Sequence, residues 1–383
     1  MIKVEMRLAP LFAAFVAFAA EPGAPLPGIT SAELELFRLG REDFNEVETA
    51  EEGLGPVFNG TSCGQCHSVP AIGGIATMTE VRAGHVDAVG KFTALNGETL
   101  YSVFSIGKHE CQIQIPREAN VIARRVPTPL FGAGLIEAIP DAAILALEKP
   151  VGNPDGVKGR ASRITDVATR QPRIGRFGWK AQQATLLAFS ADAYRNEMGI
   201  TSDLFPDELG PGLTARQLKL CDSKPDPEDV RSRVTGLRAI DNFENFMKFL
   251  APLDRGAAGA DTAEGERLFA SVGCAACHVP SMTTGPSANP LFDRKSVNLY
   301  SDLLLHDVGT GDGIEQADAN GDEMRTPPLW GLRFRRPLLH DGSAATALEA
   351  IRRHGVEAEA ARSRFLALEP AEQGNVLVFL GSL

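Results

Sequence analysis

Cys63-Gly64-Gln65-Cys66-His67 and Cys274-Ala275-Ala276-Cys277-His278 are two copies of one pattern, C-x-x-C-H, carried in opposite halves of the chain. Cysteines three apart lie on one face of a helical turn, where both can form thioethers to the vinyl groups of a haem. The adjacent histidine then turns its imidazole onto the iron. Two covalent c-type haems are therefore expected, attached through Cys63, Cys66, Cys274 and Cys277, with His67 and His278 as proximal ligands. A four-cysteine zinc site would need its knuckles roughly 15–20 residues apart, and zinc gives no reason for a histidine after each pair. A dithiol redox motif leaves both histidines unexplained.

Working outward, each motif follows a segment with Gly-x-x-x-Phe spacing: Gly40 to Phe44 ahead of the first and Gly265 to Phe269 ahead of the second. A cytochrome c domain packs such a helix against its C-terminal helix. Partner helices are predicted at Leu237 to Leu250, where Ile240, Phe243, Phe246, Met247 and Leu250 form an apolar face, and at Pro370 to Leu383. The small-residue stretch Gly256 to Ala260 reads as a linker. The expected fold is mainly α, with two cytochrome c-like haem domains in tandem at 30–255 and 256–383. Alternating Gln112-Ile113-Gln114-Ile115 and the Leu95 to Ile106 stretch predict a small β insertion in the first.

The 383 residues are 44% hydrophobic and 23% charged, near globular averages, which excludes wholesale disorder and a multi-span membrane protein. Thirty-eight basic against 49 acidic residues leave a net charge of −11, the wrong sign for a nucleic-acid binder. At the N-terminus Lys3 and Arg7 precede the apolar run Leu8 to Ala20, which ends in small residues. This reads as a signal peptide, 1–20, too short for the roughly 20 residues of a stable membrane anchor. A periplasmic location follows, and an oxidising compartment would let the two remaining cysteines, Cys111 and Cys221, form a disulfide.

A further repeat pairs Val126-Pro127-Thr128-Pro129-Leu130-Phe131-Gly132 with Arg325-Thr326-Pro327-Pro328-Leu329-Trp330-Gly331, two proline-fixed segments suited to lining a haem crevice. The second runs on to His340-Asp341-Gly342 and to Thr346-x-x-Glu349, a capping box that starts a helix ending at His354-Gly355.

With GRFGWKA (Gly175 to Ala181), NEMGITS (Asn196 to Ser202) and LLLHDVG (Leu303 to Gly309), these features together resemble the di-haem oxidoreductase family, described as peroxidases or thiol oxidoreductases. That family is related to bacterial di-haem cytochrome c peroxidase and to the methylamine-utilisation di-haem enzyme. The resemblance spans about Leu36 to the end. It implies His354 as second ligand of the C-terminal iron, where relatives place Met or Tyr; the plain reading of His354 is a helix-end residue facing the dipole. For the N-terminal iron, aligning on Gly199 gives Met198 as a ligand that closes the iron. The glutamate of the relatives gives instead Glu197 as the acid-base group beside an open iron. Trp179 matches the inter-haem tryptophan, with a packed core indole as the alternative. His340 and His306 are expected to contact ligands or propionates, while His85 and His109 match no motif. Calcium lies between the haems of the peroxidase relatives, but Val126 stands where they carry Asn before Pro-Thr. Calcium is therefore not expected there, although the acidic Asp318 to Glu323 stretch leaves room for a site elsewhere. The implied function is peroxide reduction with electrons from a small periplasmic carrier such as a cytochrome c or cupredoxin. The rivals are a plain electron-transfer cytochrome and an oxidase of a thiol or protein.

Overall fold

The computed structural model describes residues 21–383 apart from 108 and 223; the expected signal peptide, 1–20, lies outside the described residues. The helices that position the sites are α1 (Ser31–Asn45), α2 (Leu186–Met198), α3 (Ala239–Phe249), α4 (Ala260–Ser271), α5 (Ala347–Arg353) and α6 (Pro370–Leu380). Helix α1 begins at a capping box in which the Thr30 hydroxyl accepts from the Glu33 N–H and the Glu33 carboxylate accepts from the Thr30 N–H. It crosses α3 at Gly40, where an added Cβ would lie 2.2 Å from the Asn242 carbonyl oxygen. Helix α4 crosses α6 in the same way at Gly265, where a Cβ would lie 2.0 Å from the Asn375 carbonyl oxygen. Only glycine lets the backbones approach this closely. One turn further on, Phe44 packs on Phe246 of α3 with centroids 4.8 Å apart, and Phe269 packs on Phe379 of α6 at 5.2 Å. The Gly-x-x-x-Phe spacing thus encodes a helix crossing, made twice.

The helix boundaries differ slightly from the predicted ones, for local reasons. Helix α3 starts at Ala239 rather than Leu237 because Asp229 accepts from the N–H groups of Ala239 and Ile240, satisfying first-turn donors from a residue ten positions upstream. Helix α6 stops at Leu380, after which the Ser382 hydroxyl donates to the Phe379 carbonyl.

The β structure lies elsewhere than the alternation suggested. Strands β1 (Glu80–Val86), β2 (Phe92–Thr93) and β3 (Val121–Arg125) form an antiparallel sheet in the order β2-β1-β3, with Arg82 opposite Ala123. Gln112 to Ile115 is irregular: Cys111 is bonded to Cys221 at the end of the helix Ala215–Cys221, and no described strand runs alongside. Of the Leu95 to Ile106 stretch only Phe104–Ser105 pairs as a strand, with Val57–Phe58, and Leu95–Gly97 is a single 3-10 turn.

The larger hydrophobic core gathers Phe37, Phe44, Tyr194, Met198, Phe243 and Phe246, and also takes Met282, Phe292, Leu299 and Trp330 from the second half. The smaller core, with Leu268, Phe269, Phe365, Val376 and Phe379, lies wholly in the second half. The halves are therefore fastened together by shared core.

In the first half Glu208, Asp226 and Glu228 form an acidic cluster. Both carboxylate oxygens of Glu208 and Oε1 of Glu228 are shielded from water without a hydrogen-bond partner. Burial first, then neighbouring carboxylates, pushes Glu208 up to about 9 and Glu228 up to about 7. The folded chain holds these protons where the unfolded chain, near pKa ~4.3, has lost them, so this stability is present at low pH and lost as pH rises toward about 7 to 9. The melting temperature is expected to fall across that range, and Glu208→Gln to flatten the fall. Identical pH profiles for variant and parent would refute this.

Candidate functional site

Each C-x-x-C-H opens onto a cavity, and the two are nearly equal, about 1260 Å³ in the first half and 1360 Å³ in the second, including their mouths. The phenylalanine of each helix crossing packs on the motif histidine: Phe44 on His67 with centroids 6.0 Å apart, Phe269 on His278 at 6.3 Å. Each histidine is fixed through Nδ1, His67 to the Gly74 carbonyl at 2.9 Å and His278 to the Tyr300 carbonyl at 3.0 Å. A carbonyl can only accept, so Nδ1 carries the proton and Nε2 keeps its lone pair. Burial holds both imidazoles neutral, lowering each to about 4.

The proline-fixed repeats close these cavities by a matching device. The Leu130 N–H donates to the Gly73 carbonyl, beside the Gly74 carbonyl that His67 uses. The Leu329 N–H likewise donates to the Leu299 carbonyl, beside the Tyr300 carbonyl that His278 uses. Each proline segment is thus tied, one residue away, to the loop that orients its histidine.

The first cavity holds a pair of carboxyls in its wall. Glu197, near the end of α2, lies half-buried in its wall; the Asn59 side-chain amide donates to its Oε2 at 2.8 Å, and its carboxyl is hydrogen-bonded to that of Glu80. Arg82 binds Glu80 through two hydrogen bonds, Nε to Oε1 at 2.7 Å and Nη2 to Oε2 at 3.0 Å. The two carboxyls share one proton in consequence. Burial, then the charge of Glu80, raises Glu197, while Arg82 and Arg125 hold Glu80 ionised below the usual carboxylate range despite its burial. Met198 lines the same cavity but belongs to the hydrophobic core with Tyr194, Phe243 and Met247.

In the second cavity His354 caps the end of α5, which starts at the predicted Thr346-Glu349 capping box. Its Nδ1 donates to the Ala350 carbonyl at 2.7 Å, leaving Nε2 free like the two motif histidines, and it lines the cavity with His278. His306 is buried between Asp302, 2.9 Å from Nε2, and Glu357, 2.8 Å from Nδ1, which raise it well above the ordinary histidine range against its burial. The next N–H after His354, that of Gly355, donates to Val308, so the LLLHDVG segment anchors the loop carrying His354.

Trp179 lines both cavities and lies between the two proline repeats. Its indole N–H donates to the Val126 carbonyl at 2.7 Å, its own carbonyl accepts from the Arg325 N–H at 2.8 Å, and its ring meets His340 edge-on at 6.2 Å. Beside it Lys180, fully buried, donates to the carbonyls of Asn320 and Glu323 and faces Asp312 at 3.2 Å. The carboxylates of Asp318 and Glu323 are spent on Arg160. His85 and His109 line neither cavity.

The donor sets fit a haem in each cavity. Three neutral imidazoles present Nε2, four cysteines outside the disulfide stand beside them, and burial pushes Cys63 and Cys274 up to about 12 and Cys66 to about 11, so that these are thiols. Sequence reading brought His67, Glu197, Met198 and Trp179 to one cavity and His278, His354, His306 and Trp179 to the other. It missed Asn59, Glu80 and Arg82, whose only signal was a Glu-x-Arg pair two apart on one face of a strand.

Two like cavities, each with a histidine and two thiols and with one indole between them, define a di-haem redox protein. Residues 105–383 match the family described as "Di-haem oxidoreductase, putative peroxidase", and the chain belongs to that family, which implies two haems. Similar solved structures include hydrazine synthase of Kuenenia stuttgartiensis, 14% identical over 100% of both chains with a TM-score of 0.44. A MauG-like protein associated with microbial copper homeostasis is 18% identical over 95% of this chain and 94% of its own, with a TM-score of 0.42. The diheme peroxidase BthA of Burkholderia thailandensis is 14% identical over 67% of this chain and 86% of its own, with a TM-score of 0.34. No curated protein matches. Among the described residues no helix is long and apolar enough to cross a membrane.

Proposed function

We propose that the chain is an exported c-type di-haem oxidoreductase that reduces peroxide at the first cavity, using electrons that enter from a small periplasmic carrier through the second. The observation that carries this reading is the Glu197–Glu80 pair, two hydrogen-bonded carboxyls in the wall of the cavity that His67 faces, of which Glu197 is the one raised. Bound haem supplies one-electron chemistry and a place for a peroxide oxygen. The chain's own part is to position, relay and protonate. Reducing one hydrogen peroxide to two waters takes two electrons and two protons. Glu197, kept protonated between turnovers by the ionised Glu80 that Arg82 holds, can give its proton to the departing oxygen and take a fresh one from solvent, which also supplies the second proton. Trp179 bridges the cavities by its position. The four thiols beside the histidines serve covalent attachment, and 30–255 and 256–383 act as successive haem-bearing regions.

Met198 in the same cavity favours a second reading, in which its sulfur closes the iron and the protein only transfers electrons. Electron paramagnetic resonance of the oxidised protein separates the two. An open site gives a high-spin signal beside the low-spin signal of a His278/His354 iron, whereas two low-spin signals would reject the peroxidase reading. His354→Ala is expected to turn the C-terminal signal high-spin, and an unchanged low-spin signal would remove His354 as ligand. Pyridine haemochrome assay should find two haems per chain after denaturation.

A further inference from the structure

Six arginines are buried among the described residues, and two of them have no counter-ion. Arg82 pairs with Glu80, Arg125 with Asp312, Arg176 with Asp141 and Arg238 with Asp241. Arg325 and Arg335, 5% and 7% exposed, form no ion pair. Arg325 donates Nε to the Gly178 carbonyl at 2.8 Å and Nη1 to the Thr326 carbonyl at 3.3 Å, and Arg335 donates Nη1 to the Pro328 carbonyl at 3.1 Å. These acceptors are neutral. Asp302 attracts Arg325 from a distance, but its carboxylate is hydrogen-bonded to His306. Burial holds both guanidinium groups down to about 10, Arg325 with added repulsion from Arg335.

Both side chains line the second cavity and no other cavity that also holds a C-x-x-C-H motif. A buried charge without a partner is strongly destabilising, and two like charges in one wall compound the penalty. The fixed fork of a guanidinium matches a carboxylate with two parallel hydrogen bonds. A ligand carrying two carboxylates on one edge would therefore meet both needs.

We propose that Arg325 and Arg335 form the carboxylate-binding edge of the second cavity and hold the two propionates of the haem bound there. The assignment rests on the haem reading of that cavity. It gives the proline repeat a second task, since Arg325 opens Arg325-Thr326-Pro327-Pro328 and Arg335 donates back to the carbonyl of Pro328. One rigid segment thus positions both cations. The first cavity has no equivalent pair, because its arginines, Arg82 and Arg125, are already neutralised by Glu80 and Asp312.

The test uses full-length protein matured with haem, and compares Arg325→Gln and Arg335→Gln with the parent by haem content and by spectroelectrochemical titration of each haem. Removing a positive charge beside the propionates favours ferric iron. The midpoint potential of the C-terminal haem is expected to fall and to become pH-dependent near neutrality, as an unpaired propionate takes up a proton, while the N-terminal haem stays unchanged. Arg335→Lys, which keeps the charge, should restore most of the potential and remains informative if the Gln variants fold poorly. A C-terminal potential unchanged in Gln variants, or equal falls in the Gln and Lys variants, would overturn the assignment. A parent carrying fewer than two haems would instead overturn the haem reading itself.

Discussion

Glu197→Gln is expected to lower peroxide turnover about 100-fold or more, the usual loss when a positioned proton-transfer group is removed. The substitution keeps the shape and can still accept from Asn59, but the amide cannot give up a proton to peroxide. Burial and the charge of Glu80 raise Glu197 above the ordinary glutamate range, so at neutral pH it carries the proton. Turnover in the parent should therefore decline on the alkaline side as that proton is lost. The variant should lack this limb. Arg82→Gln removes a positive charge that lowers both carboxyls, so part of the shared proton should move to Glu80, turnover should fall, and the alkaline limb should shift toward higher pH. Met198→Ala, in the same cavity, should cost stability through lost core packing and leave turnover nearly intact. If instead Met198→Ala raises turnover and Glu197→Gln changes little, Met198 closes the iron and the electron-transfer reading stands.

The parts of this arrangement that could be read from sequence are those set by short spacing. C-x-x-C-H and the Thr346-Glu349 capping box express contacts within a turn of chain, while Gly-x-x-x-Phe and the duplicated proline segments have distant partners but show themselves as short patterns repeated in both halves. What stayed hidden depends on segments far apart. The Asn59–Glu197 bond spans 138 positions, and Glu80 reaches Glu197 only because β1 forms one wall of a cavity whose opposite wall is α2. The β alternation at 112–115 misled for the same reason: period two shows that a segment could be a strand, while a strand needs a partner edge, and there the Cys111–Cys221 bond fixes the chain instead. Trp179 was legible as a tryptophan near the right spacing. Its place between the two cavities depends on Val126 and Arg325, which come from the two repeats.

Gly265→Val is expected to destabilise the chain by about 3 kcal/mol or more and to disturb the ligation of the C-terminal haem while sparing the other. An added Cβ would lie 2.0 Å from the Asn375 carbonyl oxygen and 2.8 Å from the Phe379 Cβ. Neither obstacle is the loose end of a flexible side chain, so α4 and α6 would have to move apart. That motion acts on the site directly, because Phe269, one turn beyond Gly265, packs on both Phe379 and His278. Widening the crossing withdraws the wall against which the His278 imidazole is held. The crossing at Gly40 belongs to the other core and is untouched, so the low-spin signal of the C-terminal iron should weaken while the N-terminal signal and the two covalent haems stay. Gly374→Ala is the matched control within α6: an added Cβ there meets nothing within 4 Å. Alanine in place of a helical glycine adds up to about 1 kcal/mol of stability, so this variant should unfold at equal or higher denaturant. Denaturant unfolding and electron paramagnetic resonance of both variants decide the matter. Equal effects of the two substitutions would mean that the close approach of α4 and α6 is not what holds the C-terminal site.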